Sequence, residues 1–337
     1  MAKIVLGMVA SHGPLLGTPP ELWAGRVQAD HQNPALCFRG KEYTFPELLA
    51  ARSNENFEPD LAIEVKKRRF EATQNAIKEM ARVFHEVKPD VAIVIGNDQM
   101  EIMSDDNQPM IMIYHGERFE NVPFNEEQLK RLGPGVAIAE PNHHPPRRET
   151  YPGQPDLALH LIESMISEDF DIATSARLPE QMESKLTGIP HAWGFFYRRV
   201  MEDRVVPNVP IFLNTFYPPN RPSVKRCLDI GGAVARAVES WDKDLRVAIM
   251  GSGGMSHFVV DEPFDRAFMK AFVAPTYDEM LAFPDNMFRS GTAELKCWIP
   301  VKSAMDRTSL KMTVVDYQPL IRSPAGTGSG MGFAYWR

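Results

Sequence analysis

The stretch Arg246–His257, RVAIMGSGGMSH, constrains the fold of this chain more than any other. Val247, Ala248, Ile249 and Met250 form a continuous apolar, β-prone run that reads as a buried strand. Gly251, Gly253 and Gly254 then offer a tight turn, because glycine tolerates φ > 0. His257 follows just beyond the carboxyl end of the strand. The chain opens in the same way: KIVLGMVASH is an apolar run that ends at His12. Open α/β sheets build their sites beyond the carboxyl ends of their strands. Two such strands, each delivering a histidine, point to a sheet with a site at one end.

The remaining chain alternates strand-type and helix-type segments. Strands are expected at Lys3–Ala10, Asp90–Ile95, Met110–Tyr114, Asp171–Thr174, Val209–Asn214 and Arg246–Met250. The longest helix is expected over Asp60–Val87, where Phe70, Ile77, Ala81 and Phe84 share one face. Lys66, Lys67, Arg68 and Arg69 cluster elsewhere on it and read as a solvated surface. Further helices are expected at Asp156–Ile166, Ser223–Ser240, Glu262–Phe272 and Thr292–Ile299, the last stopped by Pro300. The expectation is an α/β fold: a single domain spanning residues 1–337, with a mostly parallel central sheet flanked by helices. Gly17–Pro59 breaks the alternation as a long insertion, of a length that suits a lid or a docking surface.

Composition narrows the function. With 44% hydrophobic and 24% charged residues the chain is of ordinary globular type. A net charge of -7 leaves no basic footprint for nucleic acid. No apolar run approaches the roughly 18–20 residues of a membrane span, and the N-terminus lacks a signal-peptide pattern. Cys37, Cys227 and Cys297 are too few and too scattered for a disulfide framework or a cysteine-rich zinc site, which suits a reducing, cytoplasmic setting.

Several residues bear chemistry. His12 lies in ASHGP, where a structural strand-end histidine is an equal alternative. The glycines before His257 also suit a phosphate-binding turn, but GSGGMSHF runs into Val259 and Val260 rather than into a dinucleotide-type helix. His191 lies in IPHAWGFF, where a core histidine is the plain alternative. Glu294 opens an expected helix in GTAELKCW, a place where a carboxylate also suits the helix dipole. Asn97-Asp98-Gln99 closes a strand. His143 and His144 precede Pro145, Pro146, Arg147 and Arg148, a loop able to hold a carboxylate-bearing ligand. No nucleophile elbow appears, and Ser256 points away from its neighbour His257.

Four local patterns then resemble one family, the class III extradiol ring-cleavage dioxygenases, in particular the catalytic β subunits of protocatechuate 4,5-dioxygenases. They are the strand ending at Ser11-His12, Pro89-Asp90-Val91 through Asn97-Asp98, Lys225 through Gly253-Gly254-Met255-Ser256-His257, and Glu294-Leu295 with Trp298. The resemblance implies an Fe(II) site held by two histidines and a glutamate, with His12 and Glu294 as ligands. It implies His257 as acid/base residue and His191 as a residue near the substrate. His143 and Arg147 are the candidates for contacting a small aromatic acid. It also implies a homo-oligomer, most simply a dimer, with the Gly17–Pro59 insertion covering the site in place of a separate small subunit.

One position departs from that pattern. The family's second iron histidine follows Asn-Asp, and here that place holds Gln99. An amide oxygen is a much weaker donor to Fe(II) than an imidazole. Three functions follow. In the first, the chain is a ring-opening dioxygenase whose coordination is completed by Gln99, water, His115 or Glu101. In the second, it is a metal-independent hydrolase or C–C lyase using the same histidines. In the third, it is a non-catalytic partner subunit.

Overall fold

Strands rich in Val, Ile and Ala assemble at the centre of the molecule, as their two-sided apolar pattern requires. The computed structural model describes residues 1–133, 135–178 and 188–337. Its main sheet contains β1 (Lys3–Ala10), β2 (Val91–Gly96), β3 (Ile111–Tyr114), β4 (Ala173–Ser175), β5 (Asn208–Leu213), β6 (Arg246–Ser252), β7 (His257–Val259), β8 (Met312–Ile321) and β9 (Thr327–Trp336). The spatial order is β7-β9-β1-β6-β2-β5-β3-β4, with β8 on β9. The central strands β1, β6, β2 and β5 run parallel, so their carboxyl ends share one edge of the sheet. The hairpin β8–β9 flanks them antiparallel on the β1 side, and β3 pairs antiparallel with β5 on the other.

Period-two alternation divides the strand side chains between two cores. Val91, Ile93 and Ile95 face the core shared with α3 (Pro155–Ser167), α5 (Val224–Ser240), α6 (Glu262–Val273) and α7 (Trp298–Met305). Ala92 and Val94 face the core shared with α2 (Ile63–Val87) and α4 (His191–Phe195). On α2 the stripe Ile77, Met80, Ala81 and Phe84 is buried while Lys67 and Arg68 are exposed. Full burial of a side chain such as Ile77 or Phe84 stabilises by about 1.5–3 kcal/mol.

One sequence expectation is corrected here. Pro300 does not stop a helix. Residues Ser290–Cys297 form a 3-10 stretch, and α7 begins at Trp298 with Pro300 in its first turn, where a missing N–H costs nothing. Glu294 therefore sits within the 3-10 stretch. The tail from residue 312, which the sequence reading assigned to no element, is a long hairpin, and β9 is buried along its whole length. The Gly17–Pro59 insertion contains α1 (Ala24–Gln32), a short hairpin of Leu36–Phe38 with Lys41–Tyr43, and a helix at Phe45–Ala51 entered through a Thr44/Glu47 capping box.

Candidate active site

The carboxyl ends of β1, β2 and β6 bring three loops together. His12 lies two residues past β1 and is buried. Its Nδ1 is 2.9 Å from the Ser252 hydroxyl, which itself donates to the Ala192 carbonyl at 2.5 Å. The single hydroxyl proton is thereby used, so Ser252 accepts from His12 Nδ1–H. The Nε2 lone pair of His12 is left facing the site. Burial, with His191 and His257 nearby, holds the His12 pKa well below its usual value, so the ring is neutral.

His257 emerges from the glycine-rich loop in a related way. Its Nδ1 donates to the Met255 carbonyl at 2.7 Å, and its Nε2 lies 3.6 Å from Glu294 Oε2. The glycines do not serve the turn expected of them, because none of Gly251, Gly253 and Gly254 has a positive φ. They allow close approach instead. A Cβ on Gly253 would meet the Glu294 carbonyl oxygen at 2.3 Å, and one on Gly254 would meet the His257 ring at 2.4 Å. The Trp298 indole N–H fixes the same loop by donating to the Gly253 carbonyl at 2.9 Å.

Glu294 is the shared carboxylate. Its Oε2 accepts the Gly254 N–H at 2.8 Å and lies 3.4 Å from His12 Nε2. Its Oε1 accepts the side-chain amide of Gln99. Gln99 is placed there by Asp98, whose carboxylate accepts the backbone N–H groups of Glu101, Ile102 and Met103. Burial and the neighbouring Glu101 push Asp98 up to about 7, against those N–H groups.

His191 enters from the first turn of α4. Its Nδ1 contacts Glu101 Oε1 at 2.5 Å, and its backbone N–H donates to Glu101 Oε2 at 3.1 Å. Burial lowers the His191 pKa, but the Glu101 carboxylate outweighs it, and the net push is up to about 9. One donor atom from each of His12, His191 and Glu294 lies within 4.8 Å of the others. The ring centroids of His12 and His191 are 4.8 Å apart.

A cavity of about 290 Å³ opens over this cluster, lined by His12, Gln99, Glu101, His143, His144, His191, His257 and Glu294 together with apolar groups. The rest of the lining includes Phe124, Leu132, Val136 and Ala139, with Arg26 of the insertion. His143 is thus inside, its ring 5.5 Å from that of His191. Arg147 is outside. Its side chain is 84% exposed and pairs with Glu149. Arg148 pairs with Glu120 on the surface, and Arg221 lies by Asp285 and the Phe288 carbonyl, away from this cavity. His115 also lies outside it, its backbone continuing the pairing of β3 with β4. Glu101 does line the cavity but is bound to His191, so its role is to hold that ring. His144 lines the cavity beside His143, as the sequence reading of that loop allowed, whereas Arg26 and Ser252 were not singled out by the sequence, where nothing but their fold position distinguishes them.

A family model described as the catalytic LigB subunit of aromatic ring-opening dioxygenase matches residues 60–303. The chain belongs to this family. Gln99, His191, His257 and Glu294 fall inside the matched span of the LigB family, and His12 precedes it. Over 107 residues the chain is 34% identical to a 2,3-dihydroxyphenylpropionate/2,3-dihydroxicinnamic acid 1,2-dioxygenase of Cupriavidus necator, covering 30% of this chain and 29% of that protein. Over 115 residues it is 31% identical to gallate dioxygenase of Pseudomonas putida, covering 33% of this chain and 30% of that protein. The chain thus matches under a third of the length of these relatives. An uncharacterized protein from Escherichia coli K12 aligns over 77% of this chain and 91% of its own, with 12% identity and a TM-score of 0.44. Among the described residues, no helix is long and apolar enough to cross a membrane.

Proposed function

We propose that this chain is a ring-opening dioxygenase acting on a catecholic aromatic acid, with Fe(II) held by His12, His191 and Glu294. The carrying observation is the convergence of those three donors within 4.8 Å. Two imidazoles and one carboxylate are the donor set of non-haem Fe(II) oxygenases. The arrangement fits a cation for a further reason. The lone pair of neutral His12 faces the Glu294 carboxylate at 3.4 Å, two acceptors with no proton between them. His191, not Gln99, would then supply the second imidazole, with Glu101 behind it as the outer carboxylate that fixes the ring. Names of the relatives, which specify dihydroxylated aromatic acids and gallate, agree with the substrate class.

Bound Fe(II) supplies the redox centre for a catecholate and O₂, using the positions that three protein ligands leave open. The chain's own groups do the rest. His257 Nε2 carries a lone pair at the cavity wall and takes a phenolic proton as general base. The imidazolium so formed is stabilised by Glu294 at 3.6 Å and by the Met255 carbonyl, and it returns the proton later as general acid. His143 and the apolar wall hold the ring in place and limit water. The insertion acts as part of the cover through Arg26. Both oxygen atoms of O₂ enter the product as one C–C bond of the ring breaks, so no external reductant is needed.

The test is metal content and oxygen uptake. Protein loaded anaerobically is expected to hold about one Fe(II) per chain, as one such donor set implies. It should consume O₂ with a dihydroxybenzoate and lose that activity to a chelator. Failure both to bind iron and to take up oxygen overturns the proposal. Turnover of an aromatic substrate that survives chelation and anaerobiosis would assign the hydrolase or lyase chemistry instead.

A further inference from the structure

Helix α1 of the insertion places Arg26 and Asp30 one turn apart on one face, and both are buried, at 8% and 3% exposure. Asp30 is bound by a different arginine. Arg322 reaches its Oδ1 at 2.6 Å and its Oδ2 at 2.8 Å, and the Thr327 hydroxyl adds a contact to Oδ2 at 2.6 Å. This is the two-pronged guanidinium–carboxylate geometry, which satisfies both oxygens. Arg26 lies within the electrostatic reach of this pair, in a buried cluster whose formal charge is positive. Burial, and repulsion from Arg322, lower the Arg26 pKa to about 10 against the pull of Asp30, which leaves Arg26 charged near neutrality.

Arg26 is also a wall of the cavity described above, and among the described lining residues it is the one Lys or Arg. Its stem packs on Gly135, where a Cβ would sit 3.0 Å from Arg26 Cδ. Around it the wall is apolar: Pro14, Phe124, Leu132, Val136 and Ala139. The carboxylates of the cavity are set elsewhere. Glu294 holds the Gln99 amide and the Gly254 N–H, and Glu101 holds His191. Glu140 accepts the Phe124 N–H at 3.1 Å, and burial pushes its carboxyl up toward the neutral form. The cavity lining thus combines engaged carboxylates and histidines with one desolvated cation.

We propose that Arg26 is a specificity-determining residue that anchors a carboxylate carried by the aromatic ligand. A planar guanidinium matches a carboxylate bidentately, and a water-poor wall strengthens that pairing. The assignment rests on the aromatic-diol reading of the same cavity. It gives the Gly17–Pro59 insertion a chemical task besides covering the site.

The experiment measures binding, without turnover, to the full chain loaded with Fe(II) in the absence of oxygen. The probes are catechol, benzoate and 3,4-dihydroxybenzoate. The intact chain should bind 3,4-dihydroxybenzoate at least about 10-fold more tightly than catechol, as a charge-assisted pair provides. Arg26→Gln should remove about 10- to 100-fold from the affinity for 3,4-dihydroxybenzoate and leave that for catechol within about twofold. Arg26→Lys keeps the charge but not the fork. It should retain part of the preference, and it serves as the variant to read if Arg26→Gln fails to fold by circular dichroism. No preference for the carboxylated diol in the intact chain, or an undiminished preference in both variants, overturns the assignment. If benzoate binds in an Arg26-dependent way and the diol adds nothing, Arg26 stands and the aromatic-diol reading falls. If no probe binds, both fall.

Discussion

At the scale of residues, His12, His191 and His257 share one device. Each has its Nδ1 tied to an outer partner, respectively the Ser252 hydroxyl, the Glu101 carboxylate and the Met255 carbonyl. Each is thereby oriented with Nε2 available. The partners differ, and so do the charges: Ser252 leaves His12 neutral, while the Glu101 carboxylate favours a protonated His191. This makes the ligand set testable by substitution. His191→Ala should lower Fe(II) or Co(II) affinity by more than about 100-fold, whereas Gln99→Ala should cost about 10- to 100-fold, the scale for losing an outer partner of a ligand. Titration calorimetry with either metal measures both. A larger loss from Gln99→Ala than from His191→Ala would return the second donor position to residue 99. The sequence shows Gln99 as a gap in a family pattern but not what fills it. The His191–Glu101 contact joins residues 90 apart, and only the fold brings them together.

At the scale of elements, the loop between β6 and β7 is held from below by α6. Asp265 accepts the Ser256 N–H at 2.8 Å, the Ser256 hydroxyl at 2.6 Å and the Tyr317 hydroxyl at 2.7 Å. Ser256 was set aside as a nucleophile from sequence, and its hydroxyl is indeed spent on Asp265 while accepting the Asp261 N–H. Burial raises the Asp265 pKa to about 7, against the hydrogen bonds from Ser256 and Tyr317. The folded value lies above the ordinary 3.8, so the fold retains a proton that the unfolded chain has released. Stabilisation from that proton is complete below about pH 3.8 and is lost as pH rises through 7. Asp265→Asn should therefore flatten the fall in unfolding free energy across this window. Urea denaturation at several pH values checks it, and an unchanged slope would assign the dependence to other groups. Elements with a strong period were legible in the sequence, among them α2, α5 and the parallel strands. The β8–β9 hairpin was not, because Pro319 and three glycines in β9 mask a strand whose value lies in close packing. Gly330 shows the reason: a Cβ there would meet Asp265 Oδ2 at 2.2 Å.

At the scale of the whole molecule, the insertion is bound to the C-terminal hairpin rather than laid over it. Asp30 of α1 meets Arg322 and Thr327 at the β8–β9 turn, and Arg52 donates to the Ala325 and Gly326 carbonyls nearby. Arg39 and Arg289 add pairs with Asp261 and Glu42 nearer the surface. The exposed pairs contribute little. The buried one is a different matter, because removing one partner strands a charge where water cannot reach it. Asp30→Ala leaves Arg322 without its carboxylate and close to the like charge of Arg26, and it should destabilise by about 3–5 kcal/mol. Arg322→Met alone should cost less, since the Thr327 hydroxyl and the nearby Arg26 charge still stabilise the Asp30 carboxylate. The double variant Asp30→Ala/Arg322→Met should recover part of the Asp30→Ala loss, a coupling that urea unfolding of the four proteins resolves. Amide exchange should localise the loosening to α1 and the β8–β9 turn. Equal losses spread over the whole sheet would mean that the insertion folds as one unit with the core. A local loss would mean that α1, and Arg26 with it, can move while the His12, His191 and Glu294 end of the cavity stays intact.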